Sequence, residues 1–192
     1  MTMRRYGLKT KVTVWTKQHE DILNVLEKEG RYIVKKEYIQ QKMEDHADLY
    51  LDVYDWYRHA AEKIIPVPAD VSYPIWVSLA TEEKIENSEG NVLLELEVDE
   101  DLLLTIDIDK WGRIVNNMYI PRDEQDENEH DKMLARYGID DHTAYMTPFY
   151  PNIKREIVRS WDRLFDQTIV LSKMMVGTLW ELKKDWIVNV CK

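Results

Sequence analysis

Apolar and polar positions alternate at the start of the chain, where Val12 and Val14 flank Thr13. That is the two-residue period of a strand with one buried face. The period then lengthens. Ile22, Leu23, Val25 and Leu26 form a helical stripe, with Glu20 and Asp21 at its start and Lys28 near its end. Acids first and a base last suit the helix dipole, and Gly30 stands where a left-handed residue stops a helix. The chain therefore opens as strand, tight turn, helix. A short strand is expected over Arg31 to Lys36. The longest helical pattern follows, from Glu37 to about Ile64, with Ile39, Met43, Tyr50, Tyr54, Tyr57, Ala61 and Ile64 on one face. Pro66 and Pro68 end it. PIWVSLA (Pro74 to Ala80) reads as a strand, and TEEKIENSEGN after it as an exposed connection.

Two segments, VLLELEV and LLLTIDI, carry the clearest strand signal. Leu94, Leu96 and Val98 share a face of the first, and Leu104, Ile106 and Ile108 a face of the second. A hairpin turning around Glu100 would put all six on one side, with Glu95, Glu97, Thr105, Asp107 and Asp109 on the other. Asp109 to Asn117 is expected to form a short helix, and MYIP a brief strand. DEQDENEHD (residues 123–131) reads as a mobile acidic loop, and Met133 to Tyr137 as a turn or two of helix stopped by Gly138. Ile153, Ile157, Trp161, Leu164 and Phe165 mark an amphipathic helix with Pro151 near its start. TIVLSKMMVGTLWEL and WIVNV read as closing strands. Helices and strands follow one another without regular alternation, which predicts an α+β fold. The expected architecture is a single domain over residues 1–192. It has small mixed or antiparallel sheets, a strand-helix start, one long central helix, closing C-terminal strands and a flexible N-terminus over residues 1–10.

Composition changes this picture in three ways. A chain of 192 residues buries roughly two thirds of its unfolded surface and needs no metal or disulfide staple. Seven Trp and eleven Tyr against two Phe favour sites that are half apolar and half wet: either a core of amphipathic aromatics or an aromatic-lined cleft. The net charge of −10 opposes general nucleic-acid binding and suits a basic protein partner. The one cysteine, Cys191, excludes an internal disulfide and a cysteine-based zinc site. No apolar run approaches the ~20 residues of a membrane span, and no signal-peptide pattern precedes the first strand. A soluble, cytoplasmic protein is expected.

Several chemistries lack their residues. Six scattered glycines form no phosphate-cradling loop, and the five histidines show no metal-ligand spacing. Glu95, Glu97, Asp107 and Asp109 on one face of a hairpin would either protect a solvated sheet edge or draw a divalent cation. The most suggestive segment is GTLWELKKDWIVNV. It puts Glu181 at the end of a hydrophobic strand beside Trp180, where a carboxylate either works as acid, base or hydroxyl clamp or pairs with Lys183 or Lys184.

Trp15-Thr16-Lys17-Gln18, Tyr73-Pro74-Ile75-Trp76, Asp107-Ile108-Asp109-Lys110-Trp111 and Trp180-Glu181-Leu182 together resemble an uncharacterised bacterial and phage family of unknown function. The resemblance spans most of residues 12–190 and implies no activity. A more distant likeness is to ADP-ribosyltransferase-like domains, which also open with a strand feeding a helix that ends in Gly. That likeness implies NAD bound between two small sheets, with Glu181 as the catalytic glutamate holding the nicotinamide ribose. Trp15 and Thr16 stand where those domains carry His or Arg, and Tyr73 or Ser78 matches their middle-strand residue. The competing expectation is a non-enzymatic acidic protein that binds or inhibits a protein partner.

Overall fold

The computed structural model describes residues 10–43, 47–80 and 89–191. The expected flexible N-terminus, apart from Thr10, and most of the connection after Ala80 lie outside them. Two compact units divide the chain: residues 1–104 with 176–192, and residues 105–175. The class is α+β, with seven α-helices among the described residues and a six-stranded antiparallel sheet.

In the first unit, β1 (Lys11–His19) feeds α1 (Ile22–Glu29), as the change of hydrophobic period predicts. Gly30 stops α1 with φ of 71°, and its N–H bonds the Leu26 carbonyl. β2 is shorter than expected, Arg31–Tyr32, and pairs with β7 (Leu182–Lys183) in a small second sheet. The long central helix is realised as α2 (Lys36–Met43) and α3 (Ala47–Ala61). It stops at Ala61 rather than reaching Ile64, which is half exposed. β3 (Ile75–Ser78) and β4 (Asn91–Asp99) follow the two expected patterns.

The main sheet runs β5-β6-β3-β1-β4-β8, with β5 at Leu104–Asp107, β6 at Met175–Leu179 and β8 at Ile187–Cys191. This order overturns the expected hairpin. β4 lies between β1 and β8, not beside β5, and Glu100–Leu102 forms a single 3-10 turn instead of a hairpin loop. Local alternation placed Leu94, Leu96 and Val98 together on the buried face of β4, but Asp107, expected on the opposite face, is 4% exposed, and Ile108 begins a helix rather than ending the strand. β1 and β4 pair along their whole length, from Lys11 opposite Asp99 to His19 opposite Asn91.

The register separates two faces of the sheet. Val14, Ile75, Val77, Leu94, Leu96, Val98 and Leu179 share one face, where they pack with Ile22 and Leu26 of α1. Burial of such side chains contributes about 1.5–3 kcal/mol each and is the main stabilising term. The pairs Trp15–Ser78, Trp15–Glu95 and Trp76–Thr178 lie on the other face.

The second unit is helical: α4 (Ile108–Val115), α5 (Glu124–Tyr137), α6 (Asp141–Met146) and α7 (Pro151–Ser160), the last running into a 3-10 turn over Trp161–Phe165. Residues 123–131 are a correction, since the expected acidic loop is the first half of α5. Asp123 caps it, its carboxylate accepting from the Asp126 N–H at 2.8 Å. Glu124, Asp126 and Glu127 fill the first turn, where the helix dipole favours acids. Gly138 ends α5 with φ of 65°, at the expected place.

Contrary to expectation, the extended segment after α4 pairs with no strand among the described residues, and side chains satisfy its backbone instead. Tyr119 N–H donates to Asp141 and Ile120 N–H to Ser160, while the Tyr119 carbonyl accepts from Arg113 and the Ile120 carbonyl from Arg163. The Asp107 carboxylate similarly accepts from four backbone N–H groups, those of Asp109, Lys110, Leu171 and Ser172. This explains the Asp-x-Asp-x-Trp motif as a helix cap. It also explains why β6 begins only at Met175, since Leu171 and Ser172 bond a side chain rather than a ladder. No group of three or more His, Cys, Asp or Glu is arranged to hold a metal ion among the described residues.

Candidate functional site on the aromatic face of the sheet

The neighbouring strands β6, β3 and β1 bring Thr178, Trp76 and Trp15 onto one face of the first unit's sheet. Trp180 follows β6 with the same alternation. α3 covers this face with Tyr57, which is fully buried and stacked between Trp76 and Trp180, with ring centroids 6.2 and 5.8 Å away. Such pairs add about 0.5–1.5 kcal/mol beyond their burial. The Tyr57 and Thr178 hydroxyls are 2.6 Å apart, and Thr178 also donates to the Leu104 carbonyl. Burial first, opposed by the Thr178 hydrogen bond, leaves the Tyr57 phenol well above its ordinary pKa, so it stays neutral. Tyr54, one turn earlier, accepts from the Trp76 indole at 3.3 Å and meets Tyr73 edge-on at 6.1 Å.

Two indoles differ from Trp76. The Nε1 atoms of Trp15 and Trp180 are buried and have no hydrogen-bond partner among the described residues. A buried N–H with nothing to donate to costs about 1–3 kcal/mol. Two such groups on one face of the sheet, on β1 and just beyond β6 with β3 between them, are a specific chemical feature: buried donors without acceptors among the described residues.

Glu181 is the next residue after Trp180. Its carboxylate is mostly buried, at 16% side-chain exposure, and is held by Arg31 through Nε and by Lys183 at 3.0 Å. Arg31 presents its other two nitrogens to Asp70 at 2.7 and 3.2 Å. The Asp70 hydrogen bonds, opposed by burial and joined by Glu181, hold the Arg31 guanidinium above its ordinary pKa. One cation thus joins a helix stop, a loop and a closing strand.

The sheet therefore brings together Trp15 and Ser78, directly opposed on β1 and β3. Thr16 points to the other face, where it is buried and donates to the Trp76 carbonyl at 2.8 Å. Gln18 in turn donates to the Thr16 hydroxyl at 2.9 Å. The Trp-Thr-x-Gln motif is thus a side-chain chain that ties β1 to β3. Ser78 donates to the Ala80 carbonyl at 3.0 Å. Tyr73 is half-buried against Tyr54, just before β3. Sequence reasoning missed Tyr57, Thr178 and Arg31 as site residues. The tyrosine stripe on α3 was a usable signal for Tyr57. Arg31 stands 150 residues from Glu181, and no local pattern joins them.

No match was found among curated proteins or solved structures. A family model described as a domain of unknown function, DUF3841, matches residues 13–188, which include every residue of the aromatic face and its ion cluster. The chain therefore belongs to the DUF3841 family.

Proposed function

We propose that this is a cytoplasmic protein whose aromatic sheet face binds a planar, acceptor-bearing ligand of the nucleotide class, with NAD as the leading candidate. The observation that carries this reading is the pair of buried, unpartnered indole N–H groups of Trp15 and Trp180 beside the Tyr57–Trp76 stack. A heteroaromatic ring with amide or ring-nitrogen acceptors would supply the missing acceptors, and because Tyr57 is fully buried between Trp76 and Trp180 it would enter by displacing the α3 cover. Arg31 holds the Glu181 carboxylate through Nε and Asp70 through its fork; guanidinium binds carboxylate and phosphate with the same geometry, so a ligand phosphate would take the place of the 59% exposed Asp70 side chain.

The ADP-ribosyltransferase-like reading asks more of Glu181. A carboxylate that clamps a ribose needs a free oxygen, and among the described residues Oε1 is held by Lys183 alone, whose side chain is 48% exposed. Lys183 keeps its charged end half in water, which screens this pair, so it is the partner that a ligand hydroxyl would displace. Oε2 stays with Arg31. Binding is thus the first function, and group transfer would need Lys183 to swing away.

Calorimetric titration with NAD, ADP-ribose and adenosine tests the reading. Saturable heat that is weakened by Trp180→Ala and by Glu181→Ala supports it. Absence of heat in a folded sample contradicts it. That outcome would favour the second reading, a non-enzymatic acidic protein that binds a protein partner, for which the internal pairing of Glu181 with Arg31 and Lys183 already speaks.

A further inference from the structure

The second unit exposes large apolar side chains where its helices α5, α6 and α7 meet their connections. Phe149 is 78% exposed, Tyr137 59% and Met146 54%. Phe149 is one of only two phenylalanines in the chain. Pro148 and Pro151 flank it in TPFYP, fixing φ at both prolines and restricting Thr147 and Tyr150, the residues before them. Tyr137, at the end of α5, meets Tyr150 edge-on at 5.9 Å, so the end of α5 and the α6–α7 connection form one surface. Scattered exposed apolar residues are ordinary, but aromatics gathered on one surface of a soluble chain mark a contact site.

The charge around this surface runs against the rest of the chain. Across residues 132–159 five Lys and Arg outnumber three Asp and Glu, although the whole chain carries −10. Two of those three acids are engaged: Asp140 caps α6 through the Thr143 N–H, and Asp141 holds His130 and the Tyr119 N–H. Elsewhere, Arg31, Arg58, Arg113, Arg122 and Arg163 each have a carboxylate partner. Among the described residues, Arg136 and Arg155 have none, and Lys154 lies over the Tyr145 ring at 4.0 Å rather than against an acid.

We propose that Arg136, Tyr137, Met146, Phe149, Lys154 and Arg155 form a docking surface for a short acidic segment of a partner protein that carries one or two large apolar side chains. The aromatics would seat the apolar anchors, and the unpaired cations would meet the carboxylates. Charge complementarity selects this occupant. A short peptide senses only the local field, within about 8–10 Å at physiological salt, whereas a nucleic acid strand would also meet the repulsion of the acidic remainder.

Fluorescence anisotropy of the full chain with a labelled peptide of three Glu-Asp-Leu-Phe repeats tests this. The controls are the matching Gln-Asn-Leu-Phe peptide and a short thymidine oligonucleotide. Saturable binding of the acidic peptide is expected, with about ten-fold loss in high salt and about ten-fold loss in both Phe149→Ala and the Arg136→Glu, Arg155→Glu double variant. These side chains are exposed, so thermal melts of the variants should match the parent. Four results would overturn the proposal: no saturable binding, unchanged affinity in both variants, equal affinity for the uncharged peptide, or binding of the oligonucleotide alone. Self-association abolished by Phe149→Ala, without peptide binding, would also overturn it by assigning the surface to a second copy of the chain.

Discussion

Trp15, Trp161 and Trp180 are all buried, but their indole N–H groups stand in different circumstances. Trp161 donates to the Met118 carbonyl at 2.9 Å, whereas Trp15 and Trp180 have no acceptor among the described residues. Trp161→Phe strands a carbonyl, while Trp15→Phe removes an unsatisfied donor. Chemical denaturation should therefore show Trp161→Phe more destabilising than Trp15→Phe by about 1–2 kcal/mol. Equal losses would mean that the Trp15 indole is satisfied. Glu181→Ala leaves Arg31 with Asp70 alone and Lys183 with no carboxylate, and should lower stability by about 1–2 kcal/mol even without ligand. Asp126 gives a pH-dependent case. Burial pushes its carboxyl up, but hydrogen bonds from the Arg122 side chain and backbone and from Tyr119, with the charge of Arg163, outweigh burial and hold it well below the ordinary value. A folded-state pKa below the unfolded one means stabilisation that is full above about pH 4 and lost as pH falls through the folded value. The stability gap between the parent and Asp126→Asn should accordingly shrink as urea melts are taken from neutral pH into acid. A gap that held or widened would contradict the Arg122–Asp126–Arg163 cluster.

At the level of elements, short-range periodicity carried most of what could be read. The shift from alternation to a helical stripe located β1 and α1, and Gly30 and Gly138 located two helix stops because their positive φ suits glycine. Two errors have physical causes. The partner of a strand is a long-range property, so VLLELEV and LLLTIDI looked like a hairpin although β4 pairs with β1 and β8. Residues 123–131 looked like a loop because they are almost wholly polar, yet the acids sit at a helix N-terminus behind the Asp123 cap, with Asp126, His130 and Leu134 turned inward. Removing that cap as Asp123→Ala should cost about 1 kcal/mol and reduce amide protection in the first turn of α5. Uniform fast exchange across residues 124–131 in the parent protein would instead restore the loop. The candidate site was legible only in part. Trp15, Ser78 and Glu181 were named from sequence, but the ion partner of Glu181 and the α3 cover over the indoles come from tertiary packing.

For the whole molecule, the acidic balance and the aromatic excess have separate consequences. The described residues include no helix long and apolar enough to cross a membrane. On the sheet face and its α3 cover, Trp76, Tyr54 and Tyr57 each bring a polar handle as well as area. Two further handles, the indole N–H groups of Trp15 and Trp180, are the donors proposed to meet a ligand. The most direct measurement is a two-dimensional ¹H–¹⁵N spectrum of the indole N–H groups, seven in all, recorded as NAD is added. Assignment would come from single Trp→Phe variants. The account predicts that the Trp15 and Trp180 signals move together and saturably, while the Trp161 signal, already bonded to Met118, stays in place. An unchanged spectrum at saturating NAD, or movement confined to the other tryptophans, would contradict it.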